Sequence, residues 1–201
     1  IWGESSNGKT TTARIGASVW GNCTKGTNGN NRIVSWNATA TGFEVQAALH
    51  SSSLLVLDEM GEAEKDDIIK TIYAFSDSKG KTRGQADITL RPSQTWKLLA
   101  CSTGEFNIKG HIGLTRNLPT GVLMRMLEIP VDTGDGCGVL EGMTDKKERQ
   151  AFMTQLDAAL RANYGVACRP YLEYLTELLK QPEELQALRE LHSELTNQFS
   201  Q

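Results

Sequence analysis

Gly3-Glu4-Ser5-Ser6-Asn7-Gly8-Lys9-Thr10, "GESSNGKT" at residues 3–10, is the stretch whose reading decides the fold. It matches G-x-x-x-x-G-K-[ST], in which the glycines let successive backbone N–H groups turn toward a phosphate at the start of a helix. The lysine of such a loop reaches the outer phosphates and the following hydroxyl meets Mg²⁺. On this reading Gly3, Glu4, Ser5, Ser6, Asn7, Gly8, Lys9, Thr10 and Thr11 form the nucleotide cradle, with Lys9 catalytic and Thr10 a metal ligand. A P-loop normally follows a buried strand, yet only Ile1 and Trp2 precede Gly3, so that strand is expected in truncated form. The competing reading is a chance match in a Gly/Ser loop.

The next motif argues against chance. "LLVLDE" (residues 54–59) is an apolar run ending in two acids, as expected of a strand buried on both faces of a parallel sheet. It puts Asp58 at the carboxyl end of that strand, where it would hold Mg²⁺, and leaves Glu59 to polarise an attacking water. A helix cap with a first-turn acid would explain one of the two acids. It would not explain a P-loop and an apolar run ending in Asp-Glu in one chain. The Asp-Glu pair favours hydrolysis over phosphate transfer to a metabolite, which sets a small-molecule kinase behind the other readings.

Around these motifs the pattern alternates early and turns helical late. "TTARIGASVWG" reads as the helix capped by the P-loop and closed by Gly21, and "IVSW" as a short strand. "ATATGFEVQAALHSS" reads as a helix with Thr41 as cap and Glu44 three residues on. "EAEKDDIIKTIYAFSDS" is amphipathic, with Ile68, Ile69, Ile72 and Phe75 on one face. "KGKTRGQADITLRPSQ" reads as two extended arms around "GQAD"; "WKLLACS" and "GVLMRMLEIPVD" read as two further strands. From about Asp145 three amphipathic helices follow. The expected fold is a three-layer α/β/α P-loop NTPase with a mainly parallel sheet, residues 1–143, and a C-terminal helical lid, residues 144–201.

Composition narrows the function classes. With 201 residues, 39% of them hydrophobic and 22% charged, the chain can bury one substantial core. No run of eighteen apolar residues and no leader pattern is present, so neither a membrane partner nor a signal peptide is expected. The chain lacks an initiator Met and reads as a piece of a longer protein. The four cysteines are scattered without a C-x-x-C pair, which fits a reducing, cytoplasmic setting and gives no sign of a zinc site or disulfide framework. The net charge of −3 excludes a strongly basic monomer that coats nucleic acid on its own, but leaves room for cationic loops gathered by oligomerisation.

Three further candidates follow from the pattern. A hydroxyl from Ser102 or Thr103, at the end of "LLACST", is placed to feel a γ-phosphate; a polar turn explains it as well, and Ser102 is taken as the catalytic candidate. Arg125 lies among Val122, Leu123, Met124, Met126 and Leu127, so it must either pair with an acid such as Glu128 or point at an interface as an arginine finger. Lys79, Lys81 and Arg83 in "SKGKTRGQ" read as a solvated turn or, brought together in a ring, as a DNA-tracking channel.

Taken in order, "GESSNGKTTTARIGASVWG", "SWNATATGFEVQAALHSSSLLVLDEM", "IYAFSDSKGKTRGQ", "WKLLACSTGE", "LMRMLEIPVD" and "ANYGVACRPYLEYL" closely resemble the domain-of-unknown-function family 927, helicase-like ATPases of phages and mobile elements. The resemblance implies an AAA+ fold, ATP with Mg²⁺, and a role in replicating mobile DNA. The P-loop, the Asp58-Glu59 pair and Arg125 lead to an expected ring, a hexamer, acting on single- or double-stranded DNA, and a more distant similarity to the minichromosome-maintenance helicases implies individual residue roles. It makes Arg125 a trans-acting finger and puts Lys81 or Arg83 of a pore hairpin on DNA; where that family has a sensor asparagine, this chain has Ser102 and Thr103. The alternative function is a nucleotide-dependent assembly or loader module with little motor activity.

Overall fold

The computed structural model describes residues 1–24, 31–84, 90–113, 118–132 and 134–199, with residues 83, 84, 90, 91 and 199 as backbone only. Its centre is a parallel sheet of β1 (Ile33–Ser35), β2 (Leu54–Asp58) and β5 (Leu99–Ser102), in the order β1-β2-β5. Register pairs Ile33 with Val56 and Val56 with Cys101. Beyond β5 the order continues through isolated bridges, because Trp2 lies parallel to both Gly104 and Pro130. Trp2 N–H donates to Ile129 O at 3.0 Å and Gly3 N–H to Gly104 O at 3.2 Å, which locks the start of the P-loop against the end of β5.

Side chains alternate across β2, and the two faces meet different helices. Leu55 and Leu57 join Trp36, Phe43 and Met60 in one cluster, together with Ile68 and Ile72 of α3 (Lys65–Asp77). Val56 faces the other way, onto Ala13 and Ala17 of α1 (Lys9–Trp20) and Leu160 of α6 (Lys146–Ala162). Fully burying a Leu, Ile or Val side chain of this kind contributes roughly 1.5–3 kcal/mol. The apolar run is thus explained by burial on both sides. The chain crosses from Trp2 through α1 on one face, then returns through α2 (Ala40–Leu49) and α3 on the other, so the P-loop lies where the winding reverses.

Local chemistry sets the helix ends, with one correction. The cap of α2 is Thr39, whose hydroxyl accepts from Gly42 N–H at 3.1 Å, and not Thr41, which lies inside the first turn. Glu44 is buried and accepts from Lys81 N–H at 3.2 Å, so it anchors the basic hairpin rather than closing a capping box. In α3 the acids Asp66 and Asp67 occupy the first turn, where the helix dipole favours them.

The two expected strands after the hairpin are only partly formed. β5 is confined to Leu99–Ser102, because Trp96 turns onto α3 and donates from its indole to Phe75 O at 3.3 Å. "GVLMRMLEIPVD" is not a strand: Thr120–Leu123 forms the short helix α5, and pairing is confined to the bridge of Pro130 with Trp2. Val122 is fully buried whereas Met124 and Leu127 are 81% and 83% exposed, a helical turn followed by a loop rather than a two-sided strand. The hairpin expectation holds: β3 (Arg83–Gly84) and β4 (Leu90–Arg91) are antiparallel, and their tip lies outside the described residues.

The C-terminal segment is helical as expected, in α6, α7 (Cys168–Leu178) and α8 (Pro182–Phe199). Its first helix is part of the core: Leu160 is buried against α1, and Arg14 pairs with Asp157 at 2.6 Å. α7 contributes no buried residue. Among the described residues no helix is long and apolar enough to cross a membrane.

Candidate functional site

Residues 3–10 form a loop that ends on the first turn of α1, at the carboxyl end of the sheet. Gly8 is the N-cap at φ 83°, a left-handed conformation that glycine adopts without a steric penalty. A methyl group there would also run into the Val139 side chain. No side chain caps this helix, so its leading N–H groups keep the donor capacity that suits an anion. Glu4, Ser5 and Ser6 are exposed, Asn7 is half-buried, and Ser6 is also left-handed at φ 68°. Thr11 lies on the first turn, half-buried.

Lys9 is only 7% exposed, and its ammonium donates to Gly3 O at 2.8 Å and Glu4 O at 2.7 Å. The loop's own carbonyls therefore hold the cation inside the turn. Two hydroxyls from distant parts of the chain meet at Asp58. Thr10 Oγ1 donates to Asp58 Oδ1 at 2.9 Å, and Thr103 Oγ1 donates to the same oxygen at 2.7 Å. Asp58 is 3% exposed and Thr103 1%. Thr103 Oγ1 also accepts from Glu59 N–H at 3.0 Å, so one side chain touches the Asp58 carboxylate and the Glu59 backbone. Glu59 has φ 63°, a left-handed turn that separates its side chain from the line of β2. The Glu59 carboxylate makes no hydrogen bond or ion pair with another described residue.

This set fits a nucleotide with a divalent cation: an uncapped helix start, a buried lysine, a hydroxyl and a carboxylate already in contact. The second carboxylate, Glu59, stands next in the chain with its oxygens unengaged. Among the described residues no cluster of three or more His, Cys, Asp or Glu gathers as a separate metal site.

Ser102 and Thr103 separate clearly. Ser102 Oγ accepts from Trp36 Nε1 at 2.9 Å, on the wall of an apolar cavity of about 490 Å³. It is Thr103 that faces Asp58. Sequence reading kept both hydroxyls in play, and the alternation of a strand whose other neighbours are apolar was too short to choose between them.

Arg125 lies on the rim of the same cavity and is exposed. Its guanidinium stacks over the Tyr73 ring, 5.0 Å from the centroid, and donates to Gly121 O at 2.9 Å. Arg125 makes no ion pair with Glu128, whose carboxylate accepts from Ile108 N–H instead. Lys79 and Lys81 are exposed at the base of the hairpin, after the end of α3, and Arg83 follows as backbone only.

One component was not legible beforehand. Val139 N–H donates to Asn7 O at 3.1 Å, and a Cβ on Gly138 would come within 2.5 Å of that oxygen. The glycine-rich stretch before α6 therefore packs on the P-loop. Asp135 shapes it by accepting from Gly142 and Cys137 N–H groups, which hold its carboxyl below the usual range. "GDGCG" at residues 134–138 was the available signal, but composition alone does not say what a glycine turn lies against.

Residues 1–95 match the profile of the family described as Domain of unknown function (DUF927), as the motif order anticipated. No curated protein matches the chain. The fold is similar to a solved structure described as "SCCmec type IV Cch - active helicase", with a TM-score of 0.62 and 24% identity over 89% of this chain. This chain spans 28% of that neighbour's length. At that identity the likeness is one of fold.

Proposed function

We propose that this chain is the ATP-hydrolysing core of an AAA+ DNA helicase or translocase of mobile genetic elements, a cytoplasmic protein acting as a ring, in the first instance a hexamer. The observation that carries the proposal is the convergence on Asp58 Oδ1 of two hydroxyls, from Thr10 after the P-loop and Thr103 after β5. That contact joins the P-loop to the Asp-Glu strand end, as hydrolysis of a nucleotide requires. The place of Trp2 between β5 and Pro130, with helices on both faces, supports the three-layer P-loop assignment. The helicase description of the similar structure supports the choice of motor over metabolic enzyme.

In this mechanism the residues 3–11 cradle the triphosphate, and Lys9 exchanges Gly3 O and Glu4 O for phosphate oxygens. Thr10 and Asp58 would hold Mg²⁺, which would neutralise charge on the phosphates. Glu59 orients and polarises the water. Thr103 keeps both acids in place, taking the part for which Ser102 was the first candidate. Arg125 of a neighbouring copy stabilises the charge that develops on the transferred phosphoryl group. Lys79, Lys81 and Arg83 contact the DNA backbone, whose phosphates attract them without regard to sequence.

The test is ATP hydrolysis across a protein dilution series, with and without single-stranded DNA, for wild type, Lys9→Ala and Arg125→Ala. A specific rate that rises with protein concentration, is stimulated by DNA and is lost in both variants is the expected result. ATP-dependent assembly with slow, DNA-insensitive turnover would replace the motor by the loader module.

A further inference from the structure

Arg125 is exposed and lacks an acidic partner among the described residues, yet its position is defined by two contacts. Its guanidinium lies 5.0 Å from the centre of the Tyr73 ring, and its Nη1 donates to Gly121 O at 2.9 Å. Gly121 is small for a local reason: a Cβ there would stand 2.9 Å from Tyr73 Oη and 3.1 Å from Arg125 Nη1. Ring, glycine and guanidinium thus form a three-part stack between α3 and α5. The backbone turn alone would leave a long, flexible side chain free to sample many rotamers.

Resting on the reading of Arg125 as a trans-acting arginine, we propose that Tyr73 is its positioning residue. The aromatic face holds the guanidinium plane at the rim of the molecule, between the exposed side chains of Met124 and Leu127, ready for a second copy. Tyr73 belongs to α3, which begins six residues after Glu59 and ends two residues before Lys79. The arginine of each copy is therefore carried by the element that joins its own acid pair to its own basic hairpin.

A double-mutant cycle tests this on the full chain at a concentration where hydrolysis has reached its plateau: wild type, Tyr73→Leu, Arg125→Ala and the combination, with Tyr73→Phe alongside. The expected result is a two- to fivefold lower kcat for Tyr73→Leu, about the size of an exposed cation–π contact, with KM unchanged. Tyr73→Phe keeps the ring face and retains most of the rate, and Tyr73→Leu has no effect in the Arg125→Ala background. If Tyr73→Leu lowers the rate equally in both backgrounds, or not at all, the positioning role is overturned while the arginine reading stands. If Arg125→Ala itself leaves hydrolysis intact, the arginine reading fails first. Should Tyr73→Leu not fold, Gly121→Ala crowds the same stack from α5, and an unchanged rate in that variant overturns the proposal.

Discussion

The surroundings of Asp58 and those of Arg125 are held in opposite ways. Asp58 is 3% exposed and receives two hydroxyls at 2.7 and 2.9 Å, from residues 45 and 48 positions away in the chain. Arg125 is exposed and rests on one ring and one carbonyl, between side chains left in solvent. Buried charge is tolerated only with its hydrogen bonds satisfied, so the first region must be complete within one copy. An exposed guanidinium carries no such requirement. It is free to complete a site elsewhere, and in water it has little electrostatic effect until a second surface excludes solvent around it.

The largest expected effect breaks that comparison most directly. Arg125→Ala lowers hydrolysis by about 10³- to 10⁵-fold while nucleotide affinity holds, the range for a trans-acting arginine. Parallel measurements of rate and of nucleotide binding check it; equal loss of both would mean that Arg125 belongs to the interior of its own copy. Next comes Thr103→Val, which removes one donor from Asp58 and the acceptor of Glu59 N–H. A hydrogen bond to a charged group is worth about 1.5–3 kcal/mol, so kcat drops roughly 10- to 100-fold, and Thr103→Ser recovers most of it.

Ser102→Ala sharpens the contrast at a single residue's distance. It leaves Trp36 Nε1 without its acceptor and costs about 1 kcal/mol of stability, read from denaturant unfolding. Its effect on hydrolysis is smaller than that of Thr103→Val; the reverse order would make Ser102 the residue that feels the phosphate. The smallest effect is expected at the contact between α1 and α6. Arg14 first, then Arg161, hydrogen-bond Asp157 and hold its carboxyl below the ordinary carboxylate range. A lowered folded pKa stabilises above the unfolded value, and that advantage disappears as pH falls through the folded value. Asp157→Asn therefore lowers the thermal midpoint slightly at neutral pH, and the difference from wild type closes below about pH 4. A difference that persists in acid would point to packing instead of charge.

Legibility in the sequence followed the range of the interaction. The glycine-capped helix after residue 8 and the apolar strand ending in Asp58 are local patterns, and each is present where the residues placed it. The strand expected over residues 121–132 is absent, because a strand requires a partner and Trp2 supplies a single bridging position there. The cap of α2 shifted from Thr41 to Thr39, where the side chain reaches the N–H of Gly42. Arg125 read as buried among apolar neighbours, yet Met124 and Leu127 beside it stand in solvent, and Tyr73, which holds it, lies 52 residues away.

From the sequence by itself came the glycine turn that opens α1, the parallel strand that ends in two acids and the helical C-terminal segment. Glycine conformation, apolar runs and helical periodicity act over a few residues and leave their mark in order. Tertiary structure alone decided that Thr103 and not Ser102 meets Asp58, that Val139 lies on the P-loop and that Tyr73 carries Arg125. These are contacts between distant segments, set by the alternation of a short strand, the absence of a Cβ at Gly8, Gly121 and Gly138, and the packing of helices on both faces of the sheet.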